Sequence, residues 1–377
     1  MKHSRILLAA VAVCLFAGPA LATWGTAVDR GTILSSNGIV SVPGQYGVPY
    51  WGGNSRDQSG WAITALDAGS HPRPVINGSD VTPSGYNGGG AYMTSWYQTT
   101  AGFVITKKSV LHAASWVSGA FTDLHPAGFR SSVAQGVGGS GNIVGTATDT
   151  SGFYHPWLFV DNYEALPGQE LPLPSGFYSA AATSIAQGLS LYVGGYAVAN
   201  GEVHPFVWAE TNSTTYTPTD LLPLISGGTG GVVAAGTWDC LCTDGALPEF
   251  AGSVTTNSSG GNWHAALWIP YAGGTGVGYD LHPLNTKFTA SSIYAVRLLN
   301  KNVVFQAGLA VVGSGRRARW HAMVWKSSAS SAVDLHKKLP VGQFTNSVAT
   351  GIDELGNVEG SALDTSGVWH EVYWPKI

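Results

Sequence analysis

The sequence is short of charged residues. Asp, Glu, Lys and Arg make up only 11% of its 377 residues, whereas a typical globular chain has about 25%. Helical bundles and coiled coils are rich in Ala, Glu, Lys, Leu and Arg, so the composition argues against both classes. It does not indicate disorder, because aromatic residues reach 11% and hydrophobic residues 44% of the chain, and disordered chains are poor in aromatics.

Basic runs and several common motifs are also missing. The formal net charge is −4, and the lack of a long basic run argues against a nucleic-acid partner. The chain has no Gly-x-Ser-x-Gly turn, no phosphate-binding Gly-Lys-Ser/Thr loop and no Asp-x-Asp-x-Asp-Gly calcium loop. These absences disfavour a standard serine hydrolase, a P-loop protein and an EF-hand calcium site. No cofactor and no catalytic residue are predicted.

Cysteine is scarce as well. Only three cysteines occur, and two of them form the Cys-Leu-Cys segment of Cys240 and Cys242. Two thiols do not make a disulfide scaffold, and no second cysteine pair completes a metal site. Cys240 and Cys242 either close a small, strained disulfide or stay as thiols, and the sequence leaves both states open.

The first residues have the pattern of a secretory leader. Lys2 and Arg5 precede an apolar run at 6–17, and Ala20 and Ala22 fit the −3 and −1 positions of a signal-peptidase site. The pattern predicts a signal peptide at 1–22 and a secreted or periplasmic mature chain, 23–377. The alternative, a short membrane anchor, is disfavoured because the run is shorter than the roughly 20 residues of a membrane span. No membrane span is predicted.

A five-residue cassette recurs along the chain: His, a small or apolar residue, any residue, an apolar residue and an aromatic. Its copies begin at His112, His155, His204, His264, His321 and His370, and a degenerate copy ends at Trp51. An acidic residue followed by Leu comes after most copies, and two short alternating runs come before them. Each unit of about 51 residues is therefore predicted to hold four short strands separated by Gly, Asn, Ser and Pro turns.

Four short strands in a repeat of this length are typical of a β-propeller blade. We predict an all-β fold: a single β-propeller domain of four-stranded blades over 23–377. Seven blades are favoured; six is the alternative, because the first cassette lacks its His. The last unit has no fourth strand of its own, and we predict that residues 23–29 supply it and close the ring.

The cassette histidines are predicted to be structural. A histidine that recurs once per unit belongs to the unit's architecture, so we expect each to be buried and bonded to the acid of the following strand. The predicted pairs are His112 with Asp123, His264 with Asp280 and His321 with Asp334. The same interpretation applies to a second set that follows Asp-Leu: His125, His282 and His336. The alternative is a ring of metal ligands, and no metal site is predicted.

The repeat resembles a known family. The order His-Ala-x-x-Trp, Asp-Leu, Ala-x-x-Ile, Gly-x-Val-x-Gly is similar to the HAF family of probable extracellular repeats, most clearly over 112–155, 264–321 and 321–370. The resemblance implies an exported propeller-like protein and implies no activity. His155-Pro, His204-Pro and His370-Glu depart from the pattern.

Binding candidates come from the surplus of tryptophan. Trp61, Trp96 and Trp238 have no counterpart in the repeat, and aromatic faces among Asn, Ser, Thr and Gly suit stacking on sugars. Trp263, Trp320 and Trp369 directly precede cassette histidines and are predicted to pack within blades. The basic segment Arg316–Arg319 is interpreted as a solvated hairpin tip.

These features predict a secreted, non-enzymatic binding scaffold whose partner is carbohydrate or a cell-surface protein. The alternative is a secreted carbohydrate-active enzyme, which requires two carboxylates facing each other at the propeller mouth.

Overall fold

The computed structural model describes residues 24–33, 36–42, 50–57, 60–67, 87–94, 99–106, 110–117, 120–138, 141–161, 166–188, 190–212, 214–237, 247–271, 275–300, 303–353 and 355–376. Side chains are described at 24–27 and, with a few exceptions, from residue 101 onward. The signal-peptide prediction for residues 1–22 therefore falls outside the described residues.

The described chain is all-β, as predicted. It forms 27 strands and no α-helix within these ranges. The only helical turns in this part of the chain are short 3-10 segments at Leu222–Leu224, Asn257–Ser259, Gly315–Arg317, Ala329–Ser331 and Leu335–Lys338. None of the described helices is long and apolar enough to cross a membrane.

The strands form antiparallel sheets, numbered here 1 to 7 in chain order. Sheet 1 has three described strands: β2 Ser36–Val42, β3 Tyr50–Asp57 and β4 Gly60–Asp67. Sheet 2 contains β5 Asn87–Thr94, β6 Thr99–Ile105, β7 Leu111–Val117 and β8 Ala120–Asp123. Sheet 3 contains β9 Ser131–Val137, β10 Ile143–Thr148, β11 Tyr154–Asp161 and β12 Leu166–Glu170.

The next three sheets repeat this order. Sheet 4 contains β13 Ser179–Gln187, β14 Leu191–Ala199, β15 Glu202–Asn212 and β16 Thr215–Asp220. Sheet 5 contains β17 Gly228–Thr237, β18 Glu249–Thr256, β19 His264–Pro270 and β20 Gly276–Asp280. Sheet 6 contains β21 Phe288–Asn300, β22 Val303–Val312, β23 Arg319–Trp325 and β24 Val333–Asp334.

Sheet 7 is built from both ends of the chain. Its strands β25 Phe344–Ile352, β26 Val358–Asp364 and β27 Trp369–Trp374 are followed in space by β1 Val28–Ile33. The predicted fourth strand at 23–29 was thus placed too early in the chain. Residue Trp24 only makes an isolated bridge to Lys376, and the ladder with β27 starts at Val28.

The first strands of successive sheets contact one another in series. Strand β9 touches β5 and β13, and the series continues through β17 and β21 to β25. Strand β25 also contacts β2, the first described strand of sheet 1, and β2 contacts β5. The first and last sheets are therefore neighbours.

A bulge recurs in these first strands and explains a repeated glycine. The bulge in β9 lies at Gln135, and the bulge in β21 at Tyr294. The facing second strand carries Gly145 or Gly308, whose added Cβ would lie 2.1 Å from Val133 O or 1.9 Å from Ser292 O. Only glycine fits such an approach of two backbones.

The core lies between consecutive sheets. In β19, Ala265 and Leu267 pack with side chains of sheet 6, whereas Ala266 and Trp268 pack with side chains of sheet 4. A strand that is apolar on both faces is covered on both faces, so the alternation places one sheet on each side. The cassette tryptophans with described side chains are fully buried: Trp208, Trp268, Trp325 and Trp374.

Candidate functional site

The cassette histidines lie at the start of the third strand of their sheets. The Nδ1–H of His112 donates to Asp123 at 2.9 Å, that of His264 to Asp280 at 2.7 Å, and that of His321 to Asp334 at 3.1 Å. The register places each acid opposite the residue two positions after the histidine, so the two side chains meet diagonally across the strands. The same bond joins His155 to Glu170 and His204 to Asp220, each at 2.7 Å.

Two details differ from the expectation. The six histidine side chains are 15–23% exposed and so are half-buried rather than buried. They lie where the third strand begins, close to the end of the sheet. In sheet 7, His370 Nε2 bonds Asp364 at 3.2 Å, an acid at the end of the preceding strand β26. The residue in the register position of the other acids is Asp29 of β1, opposite Val372.

The second histidine set joins one sheet to the next. His125 stacks on His112 with ring centroids 3.9 Å apart, and its Nδ1 lies 2.8 Å from the buried Ser132 Oγ, in the first strand of sheet 3. Ser132 Oγ in turn accepts the N–H of Ala113 at 2.8 Å. This arrangement, here called the polar joint, links sheets 2 and 3.

The polar joint occurs at two further boundaries. His282 stacks on His264 at 4.1 Å and bonds Ser291, which accepts Ala265 N–H. The same contacts connect sheets 6 and 7 through His321, His336 and Ser347, with Ala322 as the N–H donor; the two rings are 4.2 Å apart.

The hydrogen bonds of a polar joint have one consistent direction. His125 Nε2 lies 3.1 Å from Phe129 O, a carbonyl that can only accept, so Nε2 carries a proton and donates it. Because the pKa of His125 is lowered, the ring is neutral at pH 7, and its Nδ1 accepts the hydroxyl proton of Ser132 at 2.8 Å. Burial, and next the neighbouring cassette histidine, lowers the pKa of His125, His282 and His336, that of His336 to about 4.

The His-Pro cassettes have a different joint. Proline at 156 and 205 has no N–H to give to a serine, and the serine positions of the next sheets hold Ala180 and Gly231. A Cβ on Gly231 would lie 3.1 Å from the Pro205 ring, so the ring occupies the serine's space. The second-histidine positions in these units are Pro172 and Leu222. The His-Pro units thus lack all three parts of the polar joint: the serine, the second histidine and the N–H after the cassette histidine. An apolar joint takes their place.

The joints have little free capacity for chemistry. Each cassette histidine of a polar joint spends Nδ1 on its acid, and both nitrogens of His125 and His282 are bonded. No group of three or more His, Cys, Asp or Glu in the described ranges could hold a metal ion. We therefore interpret the joints as structural elements that hold the nearby surface residues in place.

Exposed aromatic side chains surround these joints. The residue directly before a cassette histidine is Tyr154, Trp263 or Trp320 in three different sheets, with exposures of 44, 42 and 46%. The prediction that Trp263 and Trp320 pack within blades is therefore wrong: both indoles are more than 40% exposed where the third strand begins. Trp369 is partly buried.

All these residues lie at one end of the sheets. The hairpins between second and third strands and the connections from one sheet to the next emerge at the same end, because the strands alternate in direction. Phe153 and Tyr178 add to the exposed aromatics there, packed edge to face with centroids 5.7 Å apart. We call this surface the aromatic face and define it by Phe153, Tyr154, Tyr178, Trp263 and Trp320.

The binding candidates from the sequence stay predictions. Trp96 and Trp238 fall outside the described residues, as do Cys240 and Cys242, and Trp61 is described only by its backbone in β4. Sequence analysis noted that Trp263 and Trp320 directly precede cassette histidines, but it did not take this place at the beginning of a strand as a sign of exposure.

One carboxylate has an unusual environment. Burial raises the pKa of Glu249 to about 7, and its Oε2 has no hydrogen-bond partner among the described residues. A general acid of a glycosidase has a pKa in this range, but the reaction needs a second carboxylate about 5–9.5 Å away. Glu249 begins β18, after the hairpin between the first and second strands, and so lies at the end of the sheets opposite to the aromatic face.

Comparison with known proteins gives structural matches alone. No protein-family model and no curated protein sequence matches the chain. A mutant of puromycin hydrolase has 12% identity and a TM-score of 0.46, with 88% of this chain and 51% of that one covered. TolB from Acinetobacter baumannii has 13% identity and a TM-score of 0.40, with 71 and 58% covered. Trypanosoma rangeli sialidase has 11% identity and a TM-score of 0.42, with 91 and 54% covered. The chain thus spans little more than half the length of these three proteins.

Proposed function

We propose that the protein is a seven-bladed β-propeller that binds carbohydrate on its aromatic face. The blade count rests on the sheets that follow one another in chain order and on the contact of β25 with β2. Strand β1 completes sheet 7 and closes the ring, so that the third strand of this sheet has no free edge.

The observation that carries the proposed activity is the exposure of aromatic rings at equivalent places in sheets 3, 5 and 6. Tyr154, Trp263 and Trp320 leave over 40% of their surface in water, although large aromatics are normally mostly buried. The half-buried histidine joints hold the backbone beneath them. Rigid, spaced aromatic faces are suited to stacking on successive sugar rings of a chain.

The test is a glycan array followed by calorimetry with the best-binding oligosaccharide. We expect Trp263→Ala and Trp320→Ala each to weaken binding about tenfold, from the loss of roughly 1–1.5 kcal/mol of stacking. The matched control is Tyr271→Ala: Tyr271 is 41% exposed at the opposite end of the same sheet as Trp263, and its variant should bind normally.

Two results would overturn the proposal. One is normal binding by both tryptophan variants; the other is the absence of any glycan ligand. Release of reducing sugars by the wild-type protein would instead favour the enzyme alternative, and its loss in Glu249→Gln would assign Glu249 a part in that reaction.

We further propose that the protein is exported and related to the HAF repeats. Both statements rest on the leader pattern of residues 1–22 and on the cassette order in the sequence. Amino-terminal sequencing of secreted protein should give Thr23 as the first residue. Material that retains Met1 would contradict removal of the leader.

A further inference from the structure

One part of the aromatic face is strongly basic. The hairpin that leads into the third strand of sheet 6 carries Arg316, Arg317 and Arg319, all exposed, directly before the exposed Trp320. The connection that leaves the same sheet carries Lys337 and Lys338, both exposed as well. We call these five residues the basic sector.

A histidine stack brings the two segments of the basic sector together. His321 follows Trp320, His336 precedes Lys337, and the two histidine rings stack with centroids 4.2 Å apart. Trp320 is also fixed by its backbone, whose N–H donates to Asn346 Oδ1 at 2.9 Å. The arginine hairpin, the tryptophan and the lysine pair therefore surround one joint.

The charges of the basic sector are not neutralised within the described protein. None of its five side chains forms an ion pair with a described carboxylate: the nearby Asp334 is bonded to His321 and Lys287 instead. The chain as a whole has a net charge of −4. An uncompensated positive cluster on an acidic protein raises the local concentration of anions and favours their binding.

The basic sector also breaks the symmetry of the repeat. The equivalent hairpins of sheets 3, 4, 5 and 7, at 149–153, 200–201, 257–263 and 364–368, contain no Lys or Arg. The segment between β6 and β7 of sheet 2 contains Lys107 and Lys108 in its sequence but no arginine. A feature that serves the fold recurs in every unit, as the cassette histidines do. Three arginines and two lysines gathered in one unit are not required by the fold, and this points to a ligand.

We propose that the basic sector binds the carboxylate or sulfate groups of an acidic polysaccharide while Trp320 stacks on one of its sugar rings. This inference rests on the proposed carbohydrate binding and specifies its substrate class. Guanidinium groups suit the part because their planar donor pairs match carboxylate and sulfate oxygens. The adjacent aromatic ring favours a sugar polymer over an anionic surface without rings.

The experiment measures binding of the full-length mature chain to polygalacturonate, dextran sulfate, neutral dextran and single-stranded DNA. The test variant is Arg316→Gln/Arg317→Gln/Arg319→Gln, and the single variant Arg319→Gln is compared with Arg130→Gln. Arg130 is exposed at the same end of the protein, in the connection between sheets 2 and 3. It therefore controls for charge on this face.

We expect the triple variant to bind polygalacturonate or dextran sulfate at least about tenfold more weakly, since three exposed ion pairs are lost. Its affinity should also depend less on salt concentration than that of the wild type. Arg319→Gln should weaken binding by a few-fold and Arg130→Gln should not. The melting temperature should stay unchanged, because the arginines are exposed.

The outcomes separate this inference from the proposed function. If the triple variant bound both acidic polymers with unchanged affinity while Trp320→Ala lost binding, the role of the basic sector would be overturned. The proposed carbohydrate binding on the aromatic face would still stand. Failure of every polysaccharide would overturn both. Equal binding of DNA and acidic polysaccharide, insensitive to Trp320→Ala, would show a purely electrostatic surface and overturn the assignment to a sugar polymer.

Discussion

The polar joint between sheets 5 and 6 allows a sharp test of why the cassettes come in two kinds. Ser291 is 1% exposed, accepts Ala265 N–H at 2.8 Å and lies 2.9 Å from His282 Nδ1. Ser291→Ala leaves a fully buried N–H without an acceptor, at a cost of about 1–3 kcal/mol, and removes the serine–histidine bond, worth about 1 kcal/mol. We expect a total loss of about 2–4 kcal/mol in the free energy of unfolding.

The compensating change is already present in the chain. Two sheets carry Pro156 and Pro205 where sheet 5 carries Ala265, and no serine faces them. Ala265→Pro/Ser291→Ala copies that arrangement, because proline brings no N–H that needs an acceptor. The double variant should therefore be about 1 kcal/mol more stable than Ser291→Ala alone, and the remaining loss belongs to His282 Nδ1.

Urea unfolding gives the stabilities, and amide exchange gives a local readout. In Ser291→Ala the amide proton of Ala265 should exchange faster than in the wild type. Ser330→Ala, at an exposed serine of the same sheet region, serves as the control and should change stability by less than about 0.5 kcal/mol. The reasoning would be refuted if the double variant lost more free energy of unfolding than the two single variants lose together.

Four further outcomes follow from the described contacts. The pKa of His336 is lowered to about 4 from 6.5. The free energy of unfolding that His336 contributes as a neutral ring is therefore complete above pH 6.5 and is lost as the pH falls to about 4. After allowance for partial exposure the loss is about 1–2 kcal/mol, and His336→Leu should flatten this part of the stability profile. Burial alone would raise the pKa of Asp334, but bonds from His321 and Lys287 lower it to about 2, so a second loss should follow between about pH 3.8 and 2. Deletion of residues 24–33 should expose the edge of β27 and cause self-association in size-exclusion chromatography; an unchanged monomer of unchanged stability would contradict closure. His264→Ala and Asp280→Ala should each cost about 0.5–1.5 kcal/mol, and the double variant less than their sum, because both side chains are partly exposed.

The proline that follows His155 and His204 departs from the repeat pattern, and it is explained only together with the residues that face it. His-Ala cassettes coincide with serine in the next first strand and with a second histidine, and His-Pro cassettes coincide with Ala180 or Gly231. Proline is tolerated in these middle strands because the N–H at this position points to the joint and takes no part in the ladder. The two joint types are alternative ways of leaving no buried donor unpaired.

Periodicity in the sequence was sufficient for the all-β class, the four-strand unit and the pairing of His112, His264 and His321 with their acids. These features are local: a strand alternates its faces, and the acid follows its histidine within about 16 residues or fewer. The sequence also predicted that a segment from the beginning of the mature chain pairs with the last strand. It placed this segment at 23–29 rather than Val28–Ile33, because the register with β27 depends on backbone pairing across the whole chain.

The tertiary structure alone decided which aromatics are free to act. Trp263 and Trp268 stand five residues apart in one strand segment, yet the first is 42% exposed and the second fully buried. Residue type alone does not distinguish the two. Their burial depends on how far the neighbouring sheets extend along the strand. The same holds for the segments of Arg319 and Lys337, which are distant in sequence and are brought to one joint by the stacking of His321 on His336. Repetition in the sequence thus determined the unit, and contacts between units determined the surface.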